Sequence, residues 1–236
     1  MLLWSLEQIK NMKLYFVNYA DDNYYQLQYS LNEHAKTSNQ FDDIFEYTRQ
    51  WLINRDFYKQ WKTILDQPKG GGYCLWKPYI LLDALSKIDD NDIILYMDSA
   101  DWFTGNVRNH ILNNIQNKDM ILTDGSFIQS DWTRRDTFVL MDCDEELYHN
   151  AVQLEAGIII LKKTNNTIQL LSEWLYYCQN ENILTELPNI CEDNLEGFIE
   201  HRYDQSILTN LKVKYNIYSS SDIRNFCECN INLPTI

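Results

Sequence analysis

The sequence predicts an α/β fold, and three observations carry that prediction. Short apolar runs rich in β-formers alternate along the chain with longer amphipathic segments. No internal repeat or low-complexity linker divides the 236 residues, so one α/β domain is the simplest organisation. One apolar run, Ile93-Ile94-Leu95-Tyr96-Met97, is followed by two carboxylates, Asp98 and Asp101. Such a run reads as a strand buried on both faces. Open α/β sheets bind ligands just outside the carboxyl ends of strands like this one.

Taken in order, residues 14–17 form a first strand ending at Asn18-Tyr19-Ala20-Asp21-Asp22. Residues 24–34 read as a helix and 41–47 as a second strand. Residues 48–65 are helical in character and carry Trp51, Phe57, Tyr58 and Trp61. Three of the seven glycines then fall together at Gly70-Gly71-Gly72, where the backbone must take an unusual path. Residues 75–88 read as a helix, with Pro78 tolerable only in its first turn. After the carboxylate strand come a helix at 107–116 and a short strand at 120–123. Residues 126–148 are polar and irregular and read as a mobile loop with a short helical piece. Residues 154–161 contain Gly157-Ile158-Ile159-Ile160-Leu161, another buried strand. In 168–178, Leu171, Trp174, Leu175 and Cys178 share one helix face. Residues 203–215 are the last helix, with Asp204 near its start.

Composition narrows the function classes. Hydrophobic residues make up 45% of the chain, enough for a sizeable core. Sixteen Tyr, nine Phe and seven Trp are a high aromatic load that core packing mostly explains, and aromatic clefts for sugars or bases would draw on the same residues. The net charge of −14 argues against a nucleic-acid backbone or an anionic membrane as the main partner, while leaving room for a local basic pocket. The six cysteines form no paired CxxC motifs; Cys227-Glu228-Cys229 stands alone, a weak metal or redox signal. All six read as reduced thiols of a cytoplasmic protein. The opening Met-Leu-Leu-Trp-Ser-Leu-Glu has neither the basic flank nor the apolar run of a signal peptide. No segment approaches the roughly 18 apolar residues of a membrane span. Asn165-Asn166-Thr167 matches a glycosylation sequon, read as a chance match without a secretion signal.

The carboxylate pair is the first chemical signal. Asp98 and Asp101 make a hard oxygen site suited to Mg²⁺ or Mn²⁺, and a cation held that way commonly grips nucleotide phosphates. The bland alternative is that Asp98 caps the next turn and Asp101 is solvated. Three segments read together are more specific: Lys69-Gly70-Gly71-Gly72-Tyr73-Cys74-Leu75-Trp76-Lys77-Pro78-Tyr79, Leu95-Tyr96-Met97-Asp98-Ser99-Ala100-Asp101, and His201-Arg202-Tyr203-Asp204-Gln205-Ser206-Ile207-Leu208. In this order they resemble a group of GT-A-class glycosyltransferases found in bacterial surface-polysaccharide loci and large DNA viruses. The resemblance runs over residues 14–217. More distantly, Asp98-Ser99-Ala100-Asp101, Glu155-Ala156-Gly157 and Asp204-Gln205 are similar to the Asp-x-Asp, Asn-Ala-Gly and Asp-Gln stretches of retaining galactosyltransferases. Here the carboxylates are spaced Asp-x-x-Asp, and Glu155 stands where that family has Asn.

The resemblance implies a GT-A (Rossmann-like) single domain over residues 1–236, with a mixed, mostly parallel central sheet flanked by helices. It implies a nucleotide-sugar donor, a UDP-sugar foremost, with Mn²⁺ or Mg²⁺. The acceptor would be a glycan, glycolipid or glycoprotein, and anomeric configuration would be retained. A cation on Asp98 and Asp101 would neutralise the diphosphate leaving group. His201 is either a third ligand or a locally bonded histidine. Lys77 is either a second positive contact to the diphosphate or a solvent-facing helix lysine. Tyr19, Ala20 and Asp21 fall where base and ribose lie in this fold, with Asp22 as rival to Asp21. Tyr73 and Trp76 either wall the donor pocket or fill the core. Asp204 would accept hydrogen bonds from sugar hydroxyls, a role compatible with capping its helix. Gln205 would stabilise positive charge at the anomeric carbon through its carbonyl. Glu155 is a base or acceptor contact, or else the partner of Arg134, Arg135 or Arg202. The 126–148 segment, with Trp132, Arg134, Arg135 and Asp136, would be an acceptor-side lid excluding water. Two other classes compete. One is a non-catalytic nucleotide-sugar or carbohydrate-binding module on the same fold. The other is a metal-dependent phosphohydrolase, for which a second carboxylate cluster is missing.

Overall fold

The structure, a computed structural model, describes residues 12–229, without the side chains of Glu228 and Cys229. The amino-terminal stretch read above for a leader, and the Cys229 thiol, lie outside the described residues. The strands are β1 (Leu14–Ala20), β2 (Asp43–Thr48), β3 (Ile93–Met97), β4 (Asp101–Phe103), β5 (Met120–Ile128), β6 (Val152–Lys162) and β7 (Cys227–Cys229). The five longer helices are α1 (Tyr25–Ser38), α2 (Trp76–Ser86), α3 (Val107–Ile115), α4 (Asn165–Cys178) and α5 (Tyr203–Tyr215).

The central sheet has the order β2-β1-β3-β6-β5. β1 is parallel to β2 and β3, whereas β6 is antiparallel to both β3 and β5. Four of the five strands therefore run the same way, which is the mixed, mostly parallel sheet expected. Each central strand buries both faces, as its continuous apolar run requires. Tyr15, Val17, Tyr19, Ile94 and Tyr96 point to one side, under α2, α4 and α5. Leu14, Phe16, Ile93, Leu95 and Met97 point to the other, under α1 and α3. A chain of buried amides fastens α1 to the sheet. Gln28 donates to Asn18 at 3.0 Å and to the Tyr47 carbonyl at 2.8 Å, and Asn18 donates to Asn32 at 2.6 Å.

A bulge in β6 shapes the end of the sheet. Leu154 and Ala156 face the first cluster, but so do Ile159 and Leu161, while Ile158 and Ile160 face the second. Side chains alternate strictly along an undistorted strand, so the chain must shift faces between 156 and 158. The pairing with β5 shifts at the same place, from Leu122↔Ile159 to Thr123↔Glu155. Thr123 closes the bulge by donating to the Ile158 carbonyl at 3.0 Å. Gly157 thus sits at the kink, directly beside the end of β3.

The glycine run also departs from regular geometry. Residues 70–74 all have positive φ, at 59°, 56°, 98°, 53° and 58°. The Tyr73 N–H reaches the Lys69 carbonyl at 2.7 Å and the Cys74 N–H the Gly70 carbonyl at 3.1 Å. This is one left-handed helical turn, a conformation that costs roughly 1–2 kcal/mol per L-residue with a Cβ. Three glycines carry most of it without that cost. At Gly72 a side chain has no space: a Cβ would lie 2.5 Å from the Leu65 Cα. α2 follows immediately, with Pro78 in its first turn.

The 126–148 segment corrects an expectation. It begins as the end of β5, passes through a 3₁₀ turn (Gln129–Trp132) and a helix (Arg135–Leu140), and buries Thr133, Arg134, Asp136, Thr137, Phe138 and Met141. Arg134 donates to the Thr185 carbonyl at 2.6 Å, and Asp136 accepts from the backbone N–H groups of Ile190 and Cys191 at 2.8 and 3.0 Å. The polar residues that read as loop composition satisfy a buried neighbour segment. The segment is an anchored wall and not a mobile lid. The sequence also offered no sign that residues 217–229 fold back: Ser219 bridges to Leu122 on β5, and β7 pairs with β4. Among the described residues no helix is long and apolar enough to cross a membrane, and the described cysteines are free thiols.

Candidate active site

The carboxyl end of β3 meets the β6 bulge, α2 and the start of α5. The Asp98 N–H donates to the Gly157 carbonyl at 2.8 Å, and a turn returns the Asp101 N–H to the Asp98 carbonyl at 2.9 Å. A Cβ on Gly157 would lie 3.0 Å from Asp101 Oδ2 and 3.2 Å from Asp98 Oδ2. The two carboxylates therefore converge over the bare face of a glycine.

Lys77 reaches the same place from below. Its Nζ donates to the Ala156 carbonyl at 2.9 Å and lies 3.2 Å from Asp98 Oδ1 and 3.6 Å from Asp204 Oδ2. Tyr96 donates its hydroxyl to the same Asp98 oxygen. The Lys77 side chain is 4% exposed and that of Asp98 43%, so the lysine lies beneath the carboxylate and is not a solvent-facing helix residue. Burial opposes the charge on Lys77, but Asp98 and Asp204 outweigh it and hold its pKa above the usual value. Burial pushes Asp204 up to about 6, against the pull of Lys77 and with a further push from Asp98.

Asp204 stands in the first turn of α5, where a negative charge is favoured by the helix dipole. It is not the cap, a position Arg202 holds without a side-chain bond. The preceding Tyr203 is left-handed at φ 48°, and the Asp204 carbonyl accepts from the Trp174 indole at 2.9 Å. Gln205 accepts from the Ala156 N–H at 3.3 Å and donates to Gln153 at 3.1 Å. Asp98, Asp101, Lys77, Asp204 and Gln205 are thus gathered around residues 156–157.

Two expected residues take other roles. His201 is buried; its Nε2 meets the Ile183 carbonyl at 2.9 Å and its Nδ1 accepts from the Arg134 N–H at 3.3 Å. Burial, followed by the nearby Arg134 charge, drives its pKa down to about 3. Both nitrogens of the neutral ring are engaged by backbone, so it has no lone pair left for a cation and the third-ligand reading is corrected. Tyr73 packs edge-on against Tyr203, with ring centroids 4.9 Å apart, in place of walling a donor pocket.

Glu155 pairs with none of the arginines expected for it. Arg224, from the returning carboxyl-terminal segment, donates to its Oε2 through Nε at 2.7 Å and also through Nη2. Arg224 Nη1 lies 3.9 Å from Asp101 Oδ1. Sequence reasoning missed Arg224 because nothing local marks it. Four carboxylates here face two cations, leaving an excess of negative charge when all are ionised. Among the described residues no group of three His, Cys, Asp or Glu side chains is arranged to hold a metal ion. Two converging carboxylates with surplus negative charge do fit Mg²⁺ or Mn²⁺, which commonly completes its shell with substrate phosphates and water.

Above Asp98 opens a cleft of about 660 Å³, walled by Tyr19, Asp21, Gly71, Trp76 and Ser99. Trp76 stacks on Tyr19 with centroids 3.9 Å apart and donates its indole N–H to the Gly70 carbonyl at 3.1 Å. The cleft is also lined by Ala20 and by Asp21, not by Asp22. Asp21 Oδ2 lies 3.5 Å from the point a Gly71 Cβ would occupy, so the left-handed turn brings bare backbone to the cleft wall.

No protein-family model matches this sequence, and no curated protein matches it. Solved structures do resemble it. The glycosyltransferase GlyE of Streptococcus pneumoniae TIGR4 is similar with a TM-score of 0.50 and 16% identity, covering 91% of this chain and 46% of GlyE. Its apo form gives a TM-score of 0.52 at 14% identity, with the same coverage. The galactosyltransferase LgtC, solved with donor and acceptor sugar analogues, gives 0.44 at 14% identity over 87% of this chain and 72% of LgtC. The chain spans under half the length of the GlyE chains it matches. The fold is the GT-A fold of glycosyltransferases.

Proposed function

We propose that this chain is a glycosyltransferase, moving a sugar from a nucleotide-sugar donor, a UDP-sugar foremost, to a hydroxyl of a glycan, glycolipid or glycoprotein. One observation carries the reading. Asp98, at the floor of an aromatic-walled cleft, converges over Gly157 with the buried Asp101 behind it, and Asp204 and Gln205 stand on the adjoining helix. We read the chain as one cytoplasmic domain that works with Mn²⁺ or Mg²⁺ and retains anomeric configuration.

The nucleoside occupies the cleft, against Tyr19, Ala20 and Trp76, with Asp21 accepting from a ribose or base donor. The bare backbone at Gly71 lets the donor approach. A cation on Asp98 and Asp101, when bound, neutralises the charge that builds on the departing diphosphate. Lys77 holds Asp98 from beneath and adds fixed positive charge in a site screened from water. Ionised Asp204 accepts hydrogen bonds from donor-sugar hydroxyls, and Gln205 turns a carbonyl dipole toward the anomeric carbon as positive charge grows there. Glu155 holds Arg224 beside Asp101; a carboxylate bound by two guanidinium N–H groups orients a cation better than it abstracts a proton.

The second reading is a nucleotide-sugar-binding module without catalysis. Arg224, which already offsets charge on Asp101 and Glu155, is the observation that favours it. The test is a panel of nucleotide sugars with and without Mn²⁺ or Mg²⁺, following thermal stability and nucleotide diphosphate release. Metal-dependent stabilisation by one nucleotide class, with slow release lost in Asp98→Ala/Asp101→Ala, supports the transferase. Stabilisation without release across varied acceptors supports the module, and no response to any nucleotide rejects both.

A further inference from the structure

A second cleft, of about 480 Å³, opens where the amino end of β5, the first turns of α4 and the end of α5 meet. Asp98 lies at the carboxyl end of β3, whereas Met120 begins β5, which runs in the same direction. The two sites are therefore at opposite ends of the sheet, separated on the order of 15 Å by strand length alone.

Amides and phenols line it beside the apolar side chains of Met120, Leu170 and Ile217. Asn117, Asn166, Gln169 and Asn216 face it, with Tyr215 and Tyr218 at its rim. Among the described residues the side-chain amides of Asn117, Gln169 and Asn216 have no hydrogen-bond partner, so each presents both a donor and an acceptor. Lys118 and Asp119 are the charged lining residues, and they offset one another. The Lys118 ammonium donates to the Asn114 carbonyl at 2.6 Å and lies 4.4 Å from the Tyr218 ring centre, while Asp119 accepts from Asn166 at 2.8 Å. Neither charge is held out to a ligand, which disfavours a phosphate or carboxylate guest. The tyrosine wall is built rather than loose: the Tyr218 carbonyl accepts from the Leu122 N–H at 3.3 Å, and the Ser220 N–H donates back to the Leu122 carbonyl at 3.0 Å.

We propose that this cleft is a second binding site, for an uncharged oligosaccharide. Vicinal hydroxyls both donate and accept, as primary amides do, and the C–H face of a sugar ring packs on a phenol ring whose edge stays wet. The inference rests on the chemistry of this cleft and not on the reaction proposed at Asp98. Its consequence for a glycan-modifying chain is that a long acceptor is gripped away from the site of transfer.

The experiment is saturation-transfer NMR of the whole chain with a panel of neutral and acidic oligosaccharides, repeated on Gln169→Ala/Tyr218→Ala and on Asp98→Asn. Thermal unfolding establishes that each variant folds. The expected result is a neutral oligosaccharide bound by wild type and by Asp98→Asn, and weakened by about tenfold or more in the double variant, as for loss of an aromatic anchor. The proposal is overturned if folded wild type binds no neutral oligosaccharide, if acidic glycans bind in preference, if the double variant binds equally, or if only Asp98→Asn loses binding.

Discussion

Buried Lys77 and Asp204, with half-exposed Asp98 above them, set the residue-scale behaviour of this protein. Removing one partner of a buried ion pair leaves uncompensated charge, so Lys77→Met should destabilise the fold by about 3 kcal/mol in urea unfolding at neutral pH. The loss should shrink as pH falls toward 6, because without the lysine Asp204 takes up its proton at a higher pH than in wild type. Asp204 makes its own prediction. Its folded pKa of about 6 lies above the unfolded value of 3.8, so the folded state binds its proton more tightly. Its contribution to stability is fully present below pH 4 and is lost as pH rises through 6, a change of roughly 3 kcal/mol. Comparing wild type with Asp204→Asn by denaturation from pH 4 to 7 should show wild type losing ground as pH rises; parallel curves would refute the shift. Turnover should run the other way, rising through pH 6 as the sugar-binding carboxylate ionises. The carboxylates, Lys77 and Gln205 were legible because they lie within short ordered motifs. Arg224 was not: it meets Glu155 across 69 residues, and a lone arginine carries no local pattern. His201 shows the converse, a motif histidine whose burial gives it a backbone role.

At the scale of elements, two irregularities aim the site. The left-handed turn at residues 70–74 was legible as a break, since three adjacent glycines need a reason, but its hand was not. Lys69 ties the turn to Glu186 and Glu200, and Tyr73 packs on Tyr203, so the turn is coupled to the start of α5. Gly72→Ala should destabilise by more than about 1 kcal/mol, because both its φ and the Leu65 backbone forbid a side chain. A near-neutral result in chemical denaturation would contradict this. The β6 bulge went unseen because a run of isoleucines around Gly157 looks the same with or without a face change. Gly157→Ala pushes on Asp98 and Asp101 together. It should leave stability within about 1 kcal/mol while lowering transfer by roughly 100-fold, the penalty of misplacing reacting groups by an ångström. Steady-state kinetics beside thermal unfolding separate the two effects.

For the whole molecule, the alternation of apolar strands and amphipathic helices sufficed to read an α/β fold, because burial on both faces writes itself into local composition, whereas the mostly parallel sheet was what the family resemblance implied. What local composition does not carry is the destination of polar segments. Residues 126–148 looked like a loop because their Arg, Asp and Thr are polar; those groups are buried against residues 182–194, a long-range pairing without a local signature. The return of residues 217–229 to β5 and β4, which brings Arg224 to the site, was hidden for the same reason. A crystal structure of the protein with Mn²⁺ and a non-hydrolysable UDP-sugar would decide whether the Asp98 cleft is a donor site. The expected result is the diphosphate over Asp98 and Asp101, the nucleoside against Tyr19 and Trp76, and the sugar within hydrogen-bonding reach of Asp204. Donor bound elsewhere, with the Asp98 cleft holding only water, would contradict it.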